Sequence, residues 1–113
     1  MKRVEVFLHP YQLDAVKDVL LGVGVQGVTV SEIKDFEHGH RHQGRYRGAE
    51  SHVEYVPMVK LETVVRDDRL EPVVQAITAA MPAGSVIADR ILVMPVEEAV
   101  RIRTGESGVR AIR

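Results

Sequence analysis

Twice along the chain, an alternating apolar run is followed by an apolar stripe at helical spacing and then by a second alternating run. This repetition constrains the fold more than any other feature. In the first unit Val4, Val6 and Leu8 alternate with Arg3, Glu5 and Phe7, the two-residue period of a strand with one buried face, and Pro10 ends it. From Tyr11 to Leu21, the apolar residues Leu13, Val16 and Leu20 recur at helical spacing, with Asp14, Lys17 and Asp18 elsewhere on the cylinder. Gly22 and Gly24 are expected to stop this helix. The β-branched run VTVSEI, Val28 to Ile33, predicts a second strand. In the second unit VPMVKLETVV, Val56 to Val65, alternates again, and Leu70, Val73, Val74 and Ile77 form a helical stripe. Asp67 and Asp68 offer N-caps, and Pro72 is tolerated only near a helix start. PAGS, Pro82 to Ser85, breaks that helix, and RILVM, Arg90 to Met94, predicts a fourth strand.

Two strand–helix–strand units in tandem predict an α+β chain, a ferredoxin-like βαββαβ sandwich with both helices on one face of an antiparallel sheet. The other face would carry Phe7, Thr29, Glu62 and Val64, too apolar for water and too polar for a core. Packing against further copies of the chain would resolve that mixture, so an oligomer is expected. The 113 residues suit one domain, 1–113. A net charge of −1 gives no reason to expect nucleic acid, and without Trp a base-stacking surface is not expected. No cysteine means no disulfide, thiolate metal site or Cys nucleophile. With no apolar run near ~20 residues, the expectation is a cytoplasmic protein that does not insert in membranes.

Between the second and third strands lies a polar stretch, residues 37–54, that includes EHGHRHQ (Glu37 to Gln43) and GRYRGAESHVEY (Gly44 to Tyr55). A stretch of this length without core periodicity inside a small domain is usually functional or disordered. His38, His40 and His42 would share one side if extended, with His52, Glu37 and Glu50 nearby in sequence. Neutral imidazoles with carboxylates suit a divalent metal such as zinc, nickel or copper, although alternating surface histidines alone are a weak signal.

Four fragments in order then carry a resemblance: LDAVKDVLLGVGVQGVTVSEIKDF (Leu13 to Phe36), YRGAE (Tyr46 to Glu50), PMVKLETVV, and PVEEAVRIRTGESG (Pro95 to Gly108). The chain resembles the PII nitrogen-regulatory signal-transduction family from end to end. The resemblance implies a homotrimer that binds ATP or ADP in clefts between subunits, often with 2-oxoglutarate. It also implies a long effector loop, the T-loop, that controls a membrane transporter or a metabolic enzyme. Residues 37–54 fall at the T-loop, with His38, His40, His42, Tyr46, Arg47 and Ser51 among its side chains. The phosphate (B-) loop would span about 82–90, followed by a C-terminal segment, 96–113.

RIRTG would put Arg101 and Arg103 on one side of an extended segment, about 6.5 Å apart, with Ile102 between them. Two guanidiniums at that spacing can grip a polyphosphate, although an arbitrary Arg-x-Arg is more often a solvated strand edge. In the family this segment contacts nucleotide phosphates, and Thr29, Glu62 and Val64 fall where adenine and ribose are held. The family's phosphate loop reads Gly-Asp-Gly-Lys, whereas this chain has Ile87, Ala88, Asp89 and Arg90. Without the glycines, backbone of positive φ would be strained, Asp89 adds negative charge, and Arg90 alone keeps the cation.

Where many relatives carry a modifiable tyrosine, this chain has Ser51, so a phenol cannot be nucleotidylylated there. The family glutamine that helps to bind magnesium and 2-oxoglutarate falls at Gly39, and loop-base glycines fall at Asp35 and Glu37. The usual 2-oxoglutarate response is therefore not expected. No Ser/His/Asp signature, Walker loop or helical His-Glu-x-x-His pattern occurs, so the expectation is a regulator and not an enzyme. The expected ligand is ADP, AMP or ATP. The alternatives are a relative specialised for metal response or inorganic-carbon uptake, or a trimeric scaffold without a ligand.

Overall fold

A computed structural model describes residues 1–36, 55–81 and 90–112. Strand β1 spans Lys2–Leu8, and helix α1, Leu13–Gly22, follows a 3-10 turn at Pro10–Gln12. Strands β2, Thr29–Asp35, and β3, Val56–Val65, lie on either side of the long polar stretch. A 3-10 turn at Asp67–Arg69 leads into α2, Leu70–Ala80, and β4 is Arg90–Pro95. The four strands form one sheet in the order β2-β3-β1-β4, with every neighbouring pair antiparallel. This is the expected ferredoxin-like sandwich.

The alternation in β1 does what its period requires. Val4, Val6 and Leu8 are fully buried and pack with Val16 and Leu20 of α1, Val73 and Ile77 of α2, and Leu61 of β3. Both helices thus cover one face. Burying a side chain of this kind stabilises by roughly 1.5–3 kcal/mol, which makes the two helical stripes the main cement of the fold.

Helix α1 ends at Gly22, with Val23 as its C-cap. The Val25 N–H donates to the Leu20 carbonyl at 3.0 Å and the Gly24 N–H to the Leu21 carbonyl at 3.1 Å. That double closure needs a left-handed residue, and Gly24 supplies it at φ 92°. Arg69 Nη2 then donates to the Val23 carbonyl at 2.7 Å, tying the end of α1 to the start of α2. The second strand begins at Thr29 and runs past Ile33 to Asp35, because pairing with Val56 and Pro57 extends it.

The expected side-chain caps on α2 are not made. Its N-cap position is Arg69, without a side-chain cap hydrogen bond. Asp67 instead accepts from the Met1 ammonium at 2.8 Å and lies 3.4 Å from Lys2 Nζ, while Asp68 pairs with Arg66 at 3.0 Å. The hydrogen bond from the Met1 ammonium, helped by the Lys2 charge, holds the Asp67 carboxyl below the ordinary carboxylate range. Ion pairs outcompeted the cap to backbone N–H groups.

Candidate ligand-binding site on the open sheet face

Strand register places four of the expected site residues, Thr29, Glu62, Val64 and Arg90, on the face that the helices leave uncovered. Thr29 pairs with Glu62, Glu62 with Glu5 and Glu5 with Leu92, so these four form one row across the sheet. Ser31, Lys60, Phe7 and Arg90 form the adjacent row, while Val64, Arg3 and Met94 flank the first row on its other side. Thr29, Glu62, Val64 and Arg90 therefore do share a surface, as their alternation implies.

Two carboxylates stand directly opposite each other in the first row, an arrangement that is unfavourable unless each has a cation. Each does. Arg3 Nη2 lies 3.2 Å from Glu5 Oε2, and Lys60 Nζ lies 3.8 Å from Glu62 Oε2. Glu5 is only 8% exposed and Phe7 only 9%, although no helix covers them. Long neighbouring side chains shield them: Arg90 lies over the Phe7 ring at 4.0 Å from its centroid. Arg90 Nη1 also comes within 3.8 Å of Asp35 Oδ2 at the end of β2. The open face is a lattice of opposed charges on an apolar base, and Leu92 remains 40% exposed within it.

Beside Val64 lies a cavity of about 190 Å³ with walls from Val25, Gly27, Thr63, Val65, Val73 and Arg69. Thr63 Oγ1 donates to the Gly27 carbonyl at 2.9 Å and fixes the loop after α1 against β3. Sequence reasoning missed this hollow. Its signal was the glycine-spaced GVGVQG run, in which Gly24 and Gly27 leave open space where a side chain would stand.

Arg101 and Arg103 do not lie along an extended segment, as spacing alone suggested. Residues 102–104 form a turn. The Gly105 N–H donates to the Arg101 carbonyl and the Arg101 N–H to the Glu106 carbonyl, both at 2.8 Å. Gly105 takes φ 77°, and Thr104 Oγ1 donates to Glu106 Oε1 at 3.1 Å. Thr104–Gly105 is turn chemistry that outweighs the extended tendency of Ile102. The turn projects Ile102, which is 96% exposed, with Arg103 also exposed and Arg101 partly covered. It follows β4, one edge of the sheet, whereas Thr29 lies on β2, the other edge.

Phe36 and Tyr55 meet at 5.9 Å between ring centroids, at the two described ends of the polar stretch. His38, His40, His42, Tyr46, Arg47 and Ser51 lie outside the described residues, as do Ile87, Ala88 and Asp89. Among the described residues no group of three metal-ligating side chains comes together.

The class of protein is thus a single ferredoxin-like sandwich with a polar stretch of sequence between β2 and β3 and an arginine-bearing turn after β4. The family model for "Nitrogen regulatory protein P-II" matches residues 1–106. The nitrogen regulatory protein P-II of Bradyrhizobium diazoefficiens is 46% identical over 112 residues, covering 99% of this chain and all of that protein. That of Azospirillum brasilense is likewise 46% identical with the same coverage. Among solved structures, Arabidopsis thaliana PII bound to citrate superposes with a TM-score of 0.79 at 31% identity, over 99% of this chain and 89% of that one. The chain belongs to the P-II nitrogen regulatory family, and its function is signal transduction. The resemblance carried by the four fragments holds over nearly the whole chain. No helix among the described residues is long and apolar enough to cross a membrane.

Proposed function

We propose that this P-II protein is a cytoplasmic homotrimer that senses an adenine nucleotide in clefts between subunits and acts through residues 37–54 on a membrane transporter or a metabolic enzyme. It regulates and does not catalyse. The observation that carries this reading is the division of the site within one chain. The Thr29–Glu62 pair and Val64 occupy the β2 side of the open face, while the arginine turn extends from beyond β4, at the opposite edge. A neighbouring copy that brings its turn to this row would complete a ligand cleft and cover Ile102 and Leu92 together.

The residues present fit a nucleotide. The cavity beside Val64 offers mainly apolar walls to a base, and Arg90, Arg101 and Arg103 offer guanidiniums to phosphates. Bound nucleotide would supply binding energy that differs between the states of the protein, which is what shifts a signalling population. Ile87 and Asp89 stand where the family has phosphate-cradling glycines, so discrimination in favour of a third phosphate is lost. ADP or AMP should then bind as well as ATP or better, with micromolar affinity at best. Titration calorimetry with the three nucleotides, each with and without 2-oxoglutarate, tests this. Little effect of 2-oxoglutarate is expected, because Gly39 cannot help to coordinate its magnesium. Tight ATP binding strengthened by 2-oxoglutarate would contradict the reading, and binding of no nucleotide would make the protein a scaffold.

A further inference from the structure

Arg90 opens the edge strand β4, yet its guanidinium does not stay at that edge. The side chain crosses the open face above Phe7 of β1 and meets Asp35, the last residue of β2, the opposite edge strand. One ion pair thus spans a four-stranded sheet. It is loose at 3.8 Å, and within one chain its side chains are 49% and 37% exposed, so neither group is sealed in by the fold of its own chain. In the same cross-strand row Lys60 is held by Glu62. Both cations of this row therefore already have a carboxylate.

We propose that Asp35 is a built-in competitor for phosphate at Arg90, a residue that sets how strongly and how selectively the site takes phosphate-bearing ligands. This rests on the nucleotide reading above. A guanidinium offers the same forked donors to a carboxylate and to a phosphate, so the two compete for one geometry. An exposed ion pair of this length is weak enough for a doubly charged phosphate to displace. The displaced carboxylate remains fixed on β2, however, and its charge continues to oppose the incoming anion. Ligands with more phosphate charge overcome that opposition through more contacts but also feel more of it. Asp35 therefore flattens the preference among nucleotides in addition to lowering affinity. Displacement also changes the partner of the last residue of β2, which only Phe36 separates from the stretch 37–54, and so links occupancy of the site to that strand end.

The test is an ADP titration of the full chain at low and high salt, for wild type, Asp35→Asn, Arg90→Gln and the double variant. Asparagine keeps the shape and removes only the charge. In low salt Asp35→Asn should tighten ADP binding about three- to tenfold, and the gain should shrink as salt rises. In the Arg90→Gln background the same change should gain clearly less, a coupling that a merely structural role would not produce. ADP binding by wild type that Asp35→Asn leaves unchanged, or tightens equally with and without Arg90, overturns the competition and leaves the nucleotide reading standing. Failure of every variant to bind ADP overturns both.

Discussion

Replacing Ile77 with alanine is expected to lower the unfolding free energy by about 3–4 kcal/mol, within the range for emptying a fully buried branched side chain. Ile77 is 0% exposed and sits where α2 meets α1 and the sheet, in one cluster with Val16, Leu20, Val73 and Leu61. The neighbours are β-branched or anchored in strands and helices, so the hole cannot collapse cheaply. Val74, one turn earlier on the partly exposed flank of the same helix, serves as the control and should cost much less. Urea denaturation at one protein concentration measures both, since a chain that folds as an oligomer has no stability independent of concentration. A loss below about 1 kcal/mol for Ile77→Ala would mean that α2 is not packed as described.

Arg103→Ala should weaken ADP binding by about 1.5–3 kcal/mol, the range for a hydrogen bond to a charged group, which is roughly a ten- to hundredfold loss. The side chain is exposed on the turn, and the hydrogen bonds that close the turn run through Arg101, Thr104, Gly105 and Glu106. The substitution should therefore remove a phosphate contact without disturbing the fold. Arg103→Lys should restore the effect only in part, because an ammonium keeps the charge and loses the fork. Unchanged ADP affinity in Arg103→Ala would place the phosphates elsewhere.

Much of the fold was legible because its signals are local. The alternation of VPMVKLETVV marks β3 from Val56 to Val65 without error, and the spacing of Val73 and Ile77 identifies the buried stripe of α2. The site was legible only in part. Parity along strands puts Thr29, Glu62, Val64 and Phe7 on the open face, but it says nothing of which strands are neighbours. Only the order β2-β3-β1-β4 makes Thr29, Glu62, Glu5 and Leu92 a single row. The failures have physical causes. Asp67 and Asp68 have the chemistry of N-caps, but nearby cations claimed them. Arg101 and Arg103 have the spacing of a strand edge, but Thr104 and Gly105 fold the backbone into a turn. No pattern in the sequence could bring Arg90 to Asp35, since that contact depends on a long side chain crossing two intervening strands.

If copies of this chain assemble around shared nucleotide clefts, as proposed, native mass spectrometry of the protein with ADP will reveal it. The expected result is an assembly of three chains that takes up to three ADP molecules, one per cleft, with nucleotide lost selectively on Arg103→Ala while three chains remain together. A monomer, or an assembly of three chains that carries no nucleotide at millimolar ADP, would contradict it.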